Sequence, residues 1–426
     1  MRRAILITAA AATLLVPAPA LRPHPPAAAS RLAAPASTSR EALEQTIHAA
    51  RARVEADPGD GEAAVLLADA LMRSARVRSD ASLALEAERV LRSALRHGPG
   101  DYAVRRTLAV VLLSQHRFTE ALAAAREAQA SRPEDGWNYA AAGDALLELG
   151  RYDEAFDAFD AAMERRPDAP AYARVAYARE LQGDLDGAVR LMQMAAEGMN
   201  DLEARAWTAA QLASLFLLQG RLDDAGRELD RAEFLFPGHP YAAAGRVRLH
   251  VARGELDEAL RLASAIPDTP ESLAVRGDLH ARLGDREAAE RAYRDAERLE
   301  REGWRSEQPQ PAALARFLAE RRRDVASAVS LAELAVGERK DVHTFDALAW
   351  AYIRAGRFDD AAGAMSQATR LGTVDPRIRR HASAIDAARR GALAADANVC
   401  DSLDLLAAAH HAIQLARGRV EEGGRR

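Results

Sequence analysis

The sequence predicts an all-α fold: a right-handed superhelix, an α-solenoid of about nine helix-turn-helix repeats. Three observations predict it. Alanines recur at a spacing near 34 residues over most of the 426-residue chain. Each begins an apolar ladder at i, i+4 and i+7, a helical period. The composition is 49% hydrophobic but only 5% aromatic, which suits close-packed helices better than a sheet sandwich.

Residues 1–20 read as a secretory signal peptide. A basic start, "MRR", precedes the 13-residue apolar run "AILITAAAATLLV", and "APA" at Ala18–Ala20 has the small-x-small form of a cleavage site. Residues 21–40 are rich in Pro, Ala and Ser and read as a linker, with alternative cleavage at Ala29 or Ala36. The pattern implies a bacterial periplasmic or secreted protein. The alternative is an uncleaved anchor holding the chain to the membrane, facing the periplasm, although the run is short for a spanning helix. Cys400 is the single cysteine, so no internal disulfide forms and stability comes from packing.

The array follows as residues 41–300, a linker at 301–311 and a second part at 312–375. The marker alanines are Ala87, Ala121, Ala155, Ala188, Ala225, Ala259, Ala289, Ala328 and Ala361. All but Ala259 are followed seven residues on by another alanine; Ile266 stands in that place. The stretch "LGRYDEAFDAFDAAMERRP" shows one unit's second half. Gly150 ends a first helix in the left-handed conformation that suits glycine. Asp153 supports the start of the second helix at its positive dipole end. Ala155, Phe159 and Ala162 make its buried stripe, and Pro167 stops it. Small residues where paired helices cross, Ala109, Gly143, Ala176, Ala213, Gly277 and Ala349, allow close approach; Val247 departs from the rule. Three irregularities stand out: a longer turn before Ala87, a shortened second helix near 263–270, and the Pro-containing linker. Residues 376–426 read as capping helices and a tail, with Leu403, Leu405, Leu406, Ala409 and Ile413 on one apolar face.

At these residues the chain resembles the tetratricopeptide repeat (TPR) family, whose pattern is W-x2-L-G-x2-Y, then A-x3-F, then P. Gly143, Ala155, Phe159 and Pro167 match it, with Tyr139 at the Trp place and Leu146 at the Tyr place. A second unit matches through Leu212, Ala213, Phe216, Ala225, Ala232 and Pro237, and a third through Leu348, Ala349, Tyr352, Ala361 and Ala368. The resemblance covers residues 60–375. It implies a concave groove lined by first helices, where a partner peptide or helix binds. Carried over by alignment, the groove candidates are Trp137, Asp144, Tyr177, Trp207, Ser214, Tyr241, Arg248, Asp278, Asp346 and Trp350. Ala140, Ala173, Ala210, Ala244 and Ala274 would form a floor of small residues. For Trp137 and Trp207 the alternative is packing between units. The chaperone-binding subclass uses Lys and Asn on first helices to clamp a terminal carboxylate; those types are almost absent here, which argues against that partner class.

Chemistry leaves little trace. No glycine-rich phosphate loop, H-E-x-x-H, G-x-S-x-G or CxxC occurs. His410 and His411 are neighbours and diverge on a helix, and His343 with Asp346 is one pair, too few for a metal site. Cys400 lacks a histidine partner and reads as a small buried hydrophobe. A net charge of −5 and a pI near 6.2 give no basic balance for nucleic acid. The expectation is a non-catalytic scaffold with a protein or peptide partner, without metal or cofactor. The remote alternative is an enzyme with a site on the 301–311 linker.

Overall fold

The computed structural model describes residues 40–390, apart from 79, 81 and 306–309. The signal segment, Cys400 and the apolar face at 403–413 lie outside the described residues, as does part of the expected linker. Among the described residues there are twenty α-helices and no strand. Helix α1 (Arg40–Ala56) precedes nine pairs. These are α2 (Gly61–Arg78) with α3 (Ser82–His97), α4 (Tyr102–Ser114) with α5 (Phe118–Ser131), and α6 (Gly136–Glu148) with α7 (Tyr152–Arg165). Next come α8 (Ala169–Leu181) with α9 (Leu185–Gly198), α10 (Leu202–Leu218) with α11 (Leu222–Leu235), and α12 (Pro240–Arg253) with α13 (Leu256–Ser264). The last are α14 (Pro270–Arg282) with α15 (Arg286–Trp304), α16 (Pro311–Glu320) with α17 (Val325–Glu338), and α18 (Val342–Arg354) with α19 (Phe358–Ala368), followed by α20 (Pro376–Arg389).

The marker alanines explain the pairing. All nine are buried, and each lies on a second helix where a methyl is all that fits against the first. An added Cβ at Gly143 would stand 2.6 Å from the Phe159 ring, so this crossing admits only glycine. Between paired helices, Gly150, Gly183, Gly220, Gly254, Gly284 and Gly356 all have φ from +69° to +87°, the left-handed conformation that lets the chain reverse. His116 and Arg322 hold positive φ in two other units, at 58° and 51°.

Helix starts are of two main kinds. Many are capped by carboxylates: Asp101, Asp135, Asp168, Asp201 and Asp341 on first helices, and Asp184, Asp285 and Asp324 on second helices, accept backbone N–H groups of the first turn. Several second helices lack such a cap. They carry instead an arginine paired three residues on: Arg117–Glu120, Arg151–Glu154, Arg221–Asp224 and Arg357–Asp360, at 2.6–2.7 Å. Asp153 lies in the first turn of α7, but Arg151 pairs with Glu154.

Irregular spacings are absorbed into helix length. The longer turn expected before Ala87 is largely helix, since α2 runs 18 residues to Arg78. Extra residues elsewhere extend α10 to 17 and α15 to 19 residues, and α13 is shortened to 9 as expected. Helices also enter the expected linker from both sides, α15 ending at Trp304 and α16 opening at Pro311.

The array winds back on itself. One hydrophobic cluster joins α1–α8 to α14–α20, a second joins Val77 of α2 to α8–α12. Two polar seams hold the turns together. At the first, Arg76 forks onto Glu203 with two 2.7 Å bonds, Arg73 pairs with Asp201 at 2.6 Å, and Arg40 donates to the Gly238 carbonyl. At the second, Arg339 pairs with Glu148 at 2.7 Å, and the Val342 amide donates to the Tyr152 hydroxyl at 2.8 Å. The Lys340 amide donates to the Leu149 carbonyl there at 3.3 Å.

Candidate functional site

Successive first helices pack on one another, α2 on α4, α4 on α6, α6 on α8, α10 on α12 and α16 on α18. Asp144 and Glu148 sit one turn apart on α6, Tyr177 and Glu180 on α8, Arg248 on α12. Asp144 pairs with Arg174 at 2.7 Å, bracing α6 to α8, with about a quarter of each side chain exposed (26% and 21%). Burial raises its carboxyl against the pull of Arg174. Burial likewise pushes Glu148 up to about 7, helped by Asp341 and Asp144 and opposed by Arg339. Glu180 rises to about 7 from burial and the nearby Asp375 charge, with Arg248 opposing. The Tyr177 phenol is raised by burial and by Glu148. Arg248 is lowered by burial and raised by Glu180. These first helices thus gather carboxylates raised by burial, with the Arg248 charge acting on Glu180 from α12.

The candidates divide. Asp144, Tyr177 and Arg248 are linked through the charges of Glu148 and Glu180, and Ser214 is half-buried on α10. Trp137 is half-buried under the Arg106 guanidinium, 4.2 Å from its ring centroid, and Trp207 packs on the second core cluster; both fit the packing alternative. Tyr241 is exposed at the start of α12, its ring 5.8 Å from His239, next to a cavity of about 760 Å³ lined by Leu43, Val77, Leu229, Ala242 and Ile266. Of the small-residue floor, Ala140, Ala173, Ala210 and Ala274 are buried and Ala244 is exposed.

Three candidates are not groove contacts. Asp278 is buried, pairing with Arg321 at 3.0 Å and accepting the Tyr293 hydroxyl at 2.7 Å. Asp346 is wholly buried between Arg377 at 3.0 Å and His381 at 2.7 Å. Burial alone would raise its carboxyl; His381 and Arg377 outweigh that and hold it at about 2. Trp350 stacks flat on His381 with centroids 3.9 Å apart. Helix α20 covers both, and alignment to a repeat gives no sign of that cover. Glu148 and Glu180 were missed. Their signal was present: each lies three or four residues beyond a candidate, Asp144 or Tyr177, on the same helix face.

Family models described as tetratricopeptide repeat match residues 73–136 and 211–272, 112–176, and 270–302. The chain carries tetratricopeptide repeats. No curated protein matches it. Among solved structures, human IFIT1, solved as a dimer with PPP-AAAA, is 14% identical over 78% of this chain and 78% of that chain, with a TM-score of 0.51. Cut9 of the APC/C Cut9–Hcn1 hetero-tetramer is 14% identical, covering 82% of this chain and 60% of that chain, with a TM-score of 0.46. Yeast Tom70 is 15% identical over 82% and 86%, with a TM-score of 0.43. The chain therefore spans about 60% of the length of Cut9. At these identities the likeness is one of fold. TPR arrays of this kind are scaffolds suited to protein–protein interaction. Among the described residues no helix is long and apolar enough to cross a membrane.

Proposed function

We propose that this TPR array is a non-catalytic scaffold that binds a partner protein segment along its concave first-helix face. What supports the reading is the group of Asp144, Glu148, Tyr177, Glu180 and Arg248 on first helices, an aromatic among desolvated, mutually interacting charges. Such surfaces concentrate binding energy in a few anchors. A nucleic-acid partner is disfavoured: Asp144, Glu148 and Glu180 would repel a phosphate chain, and the net charge is −5. The nucleotide ligand of human IFIT1 is therefore not carried over. The N-terminal basic start, apolar run and APA site support export to a bacterial envelope with a cleaved signal; the rival is a tethered form.

The test is capture from the native host with the parent, Tyr177→Ala and Arg190→Ala. Arg190 is exposed on the second helix α9 and serves as the control. Tyr177→Ala should weaken capture by about 2 kcal/mol, with the control unchanged. Loss in the control alone would move the binding face to the second helices. Osmotic-shock fractionation with sequencing of the mature N-terminus decides between the released and tethered forms.

A further inference from the structure

Helix α13 is the shortest of the second helices, 9 residues where the others run 11 to 19. Pro267 soon follows it and cannot prolong a helical ladder. The end of α13 and the segment after it, through Leu262, Ala265, Ile266 and Pro267, wall one side of the cavity of about 760 Å³. Its other walls come from α1, α2, α11 and α12. Arg78, Glu233, Ala265 and Pro267 line it and are exposed, so the cavity reaches the surface. Two features define what fits. The first is charge. Arg78 stands 3.9 Å from Glu44, Arg246 pairs with Asp230 at 2.8 Å, and Arg40 donates to the carbonyl of Gly238, whose amide donates to Glu233. Three guanidinium groups are thus balanced by three carboxylates, and no net charge remains to select an ion. The second is Ser74 on α2. It is 4% exposed, lines the cavity, and its hydroxyl forms no hydrogen bond among the described residues. A buried hydroxyl without a partner costs free energy that a ligand's hydrogen-bonding group recovers.

We propose that this cavity is a binding site for an uncharged alkyl compound with one hydrogen-bonding group, which Ser74 meets. The site is separate from the concave first-helix face and does not depend on the scaffold reading. An apolar cavity of about 150 Å³ takes up benzene, so 760 Å³ gives room for a chain of about ten carbons. The volume also falls within the roughly 300–1,000 Å³ typical of ligand pockets. No aromatic ring lines the cavity among the described residues, so it offers contact to a flexible chain rather than stacking for a planar ligand. Water finds few partners against such a lining, and an aliphatic chain that replaces it gains affinity. An ionic head group would lose hydration with no counter-charge left over to receive it. The walls belong to two turns of the superhelix, so the bound chain spans the first seam, whose Arg76–Glu203 pair lies two residues beyond Ser74.

Calorimetry on the full chain with decanol, decanoate and decylammonium, each below its micellar limit, tests the class. Decanol should bind at least about tenfold more tightly than either ion. Ala265→Trp, at an exposed lining position after α13, should block the cavity. It should abolish decanol binding while helicity and thermal midpoint stay near the parent's. Ser366→Trp, exposed on α19, adds the same indole elsewhere and should keep binding. Ser74→Ala should weaken decanol about threefold or more, as for one lost hydrogen bond; an unchanged affinity there removes Ser74 from the site. No decanol binding by the parent overturns the proposal, as does tighter binding of either ion or binding that survives Ala265→Trp. Should Ala265→Trp misfold, the methyl resonances of Ile266 in the parent read the same titration, and methyls unmoved by decanol count against the site. A host protein captured by the parent and lost with Ala265→Trp, with no decanol bound, would assign the cavity to a partner's side chains and sink this inference. The scaffold reading fails or stands separately: Tyr177→Ala should leave decanol binding unchanged, whatever it does to partner capture.

Discussion

At the scale of single residues, what surrounds a side chain decides whether it serves binding or packing. Asp346 occupies a first-helix place, like Asp144, but it is buried against Arg377 and His381. Asp346→Ala should therefore act on stability. It leaves a buried cation facing an empty place, which costs roughly 3–5 kcal/mol. Urea unfolding measures it, and a variant as stable as the parent that loses only partner binding would return Asp346 to the groove. Glycines give a finer contrast. Gly150 and Gly356 both have φ of +75°, so alanine at either meets the left-handed penalty of roughly 1–2 kcal/mol. At Gly356 nothing lies within 4 Å of an added Cβ, whereas at Gly150 it would run into the Lys340 carbonyl across the second seam. Gly150→Ala should thus lose clearly more stability than Gly356→Ala. Equal losses would mean that the seam yields without cost.

At the scale of helices, the pair and its stops were legible in the sequence because they depend on neighbours along the chain. Alanine stripes fixed which helices cross, and terminal glycines fixed where they turn. Contacts from other units left no local mark. Arg377 and His381 on α20 bury Asp346 and Trp350, and Arg339, far along the chain, meets Glu148; neither contact is readable from one unit's own residues. Glu148 ends α6 and meets Arg339 at the end of α17, with Asp341, Asp144 and the Tyr177 phenol also facing it. Burial raises its carboxyl from 4.5 to about 7. The folded state then holds the proton more tightly than the unfolded state, so this group's contribution falls as pH rises from about 4.5 to about 7 and is level above that. Each pKa unit is worth about 1.4 kcal/mol, and the side chain is 28% exposed, so a loss of about 2 kcal/mol between pH 5 and pH 8 is an upper figure. Glu148→Gln cannot titrate. The stability of the parent relative to this variant should therefore drop between pH 5 and pH 8. A difference that does not change with pH would show that Glu148 is solvated.

For the whole molecule, the decisive feature is that the solenoid closes on itself. In an open repeat array each unit touches only its neighbours, so distant units melt with partial independence. Here Arg76 of the first pair grips Glu203 of the fifth, and Arg339 of the eighth grips Glu148 of the third. Glu203 is almost wholly buried. Burial alone would raise its carboxyl, but His239 and Arg76 overcome that and hold it at about 2, so it remains charged wherever the fold is studied. Removing Arg76 leaves that carboxylate with only His239, at 3.3 Å. The double variant Arg76→Ala, Arg339→Ala removes the longest-range ion pair of each seam while leaving every repeat's own alanine stripe intact. Its helicity should match the parent's, because the paired helices do not depend on the seams. Its radius of gyration in X-ray scattering should increase as the turns part. Its urea transition should broaden with a lower slope, since the slope scales with the surface exposed in one cooperative step. Tryptophan fluorescence should then no longer coincide with the helical signal: Trp137 and Trp350 sit on pairs tied through the second seam, Trp207 on one tied through the first. A double variant with the parent's scattering, slope and coincident curves would mean that apolar packing between the turns suffices to close the array, and that the ion pairs only decorate it.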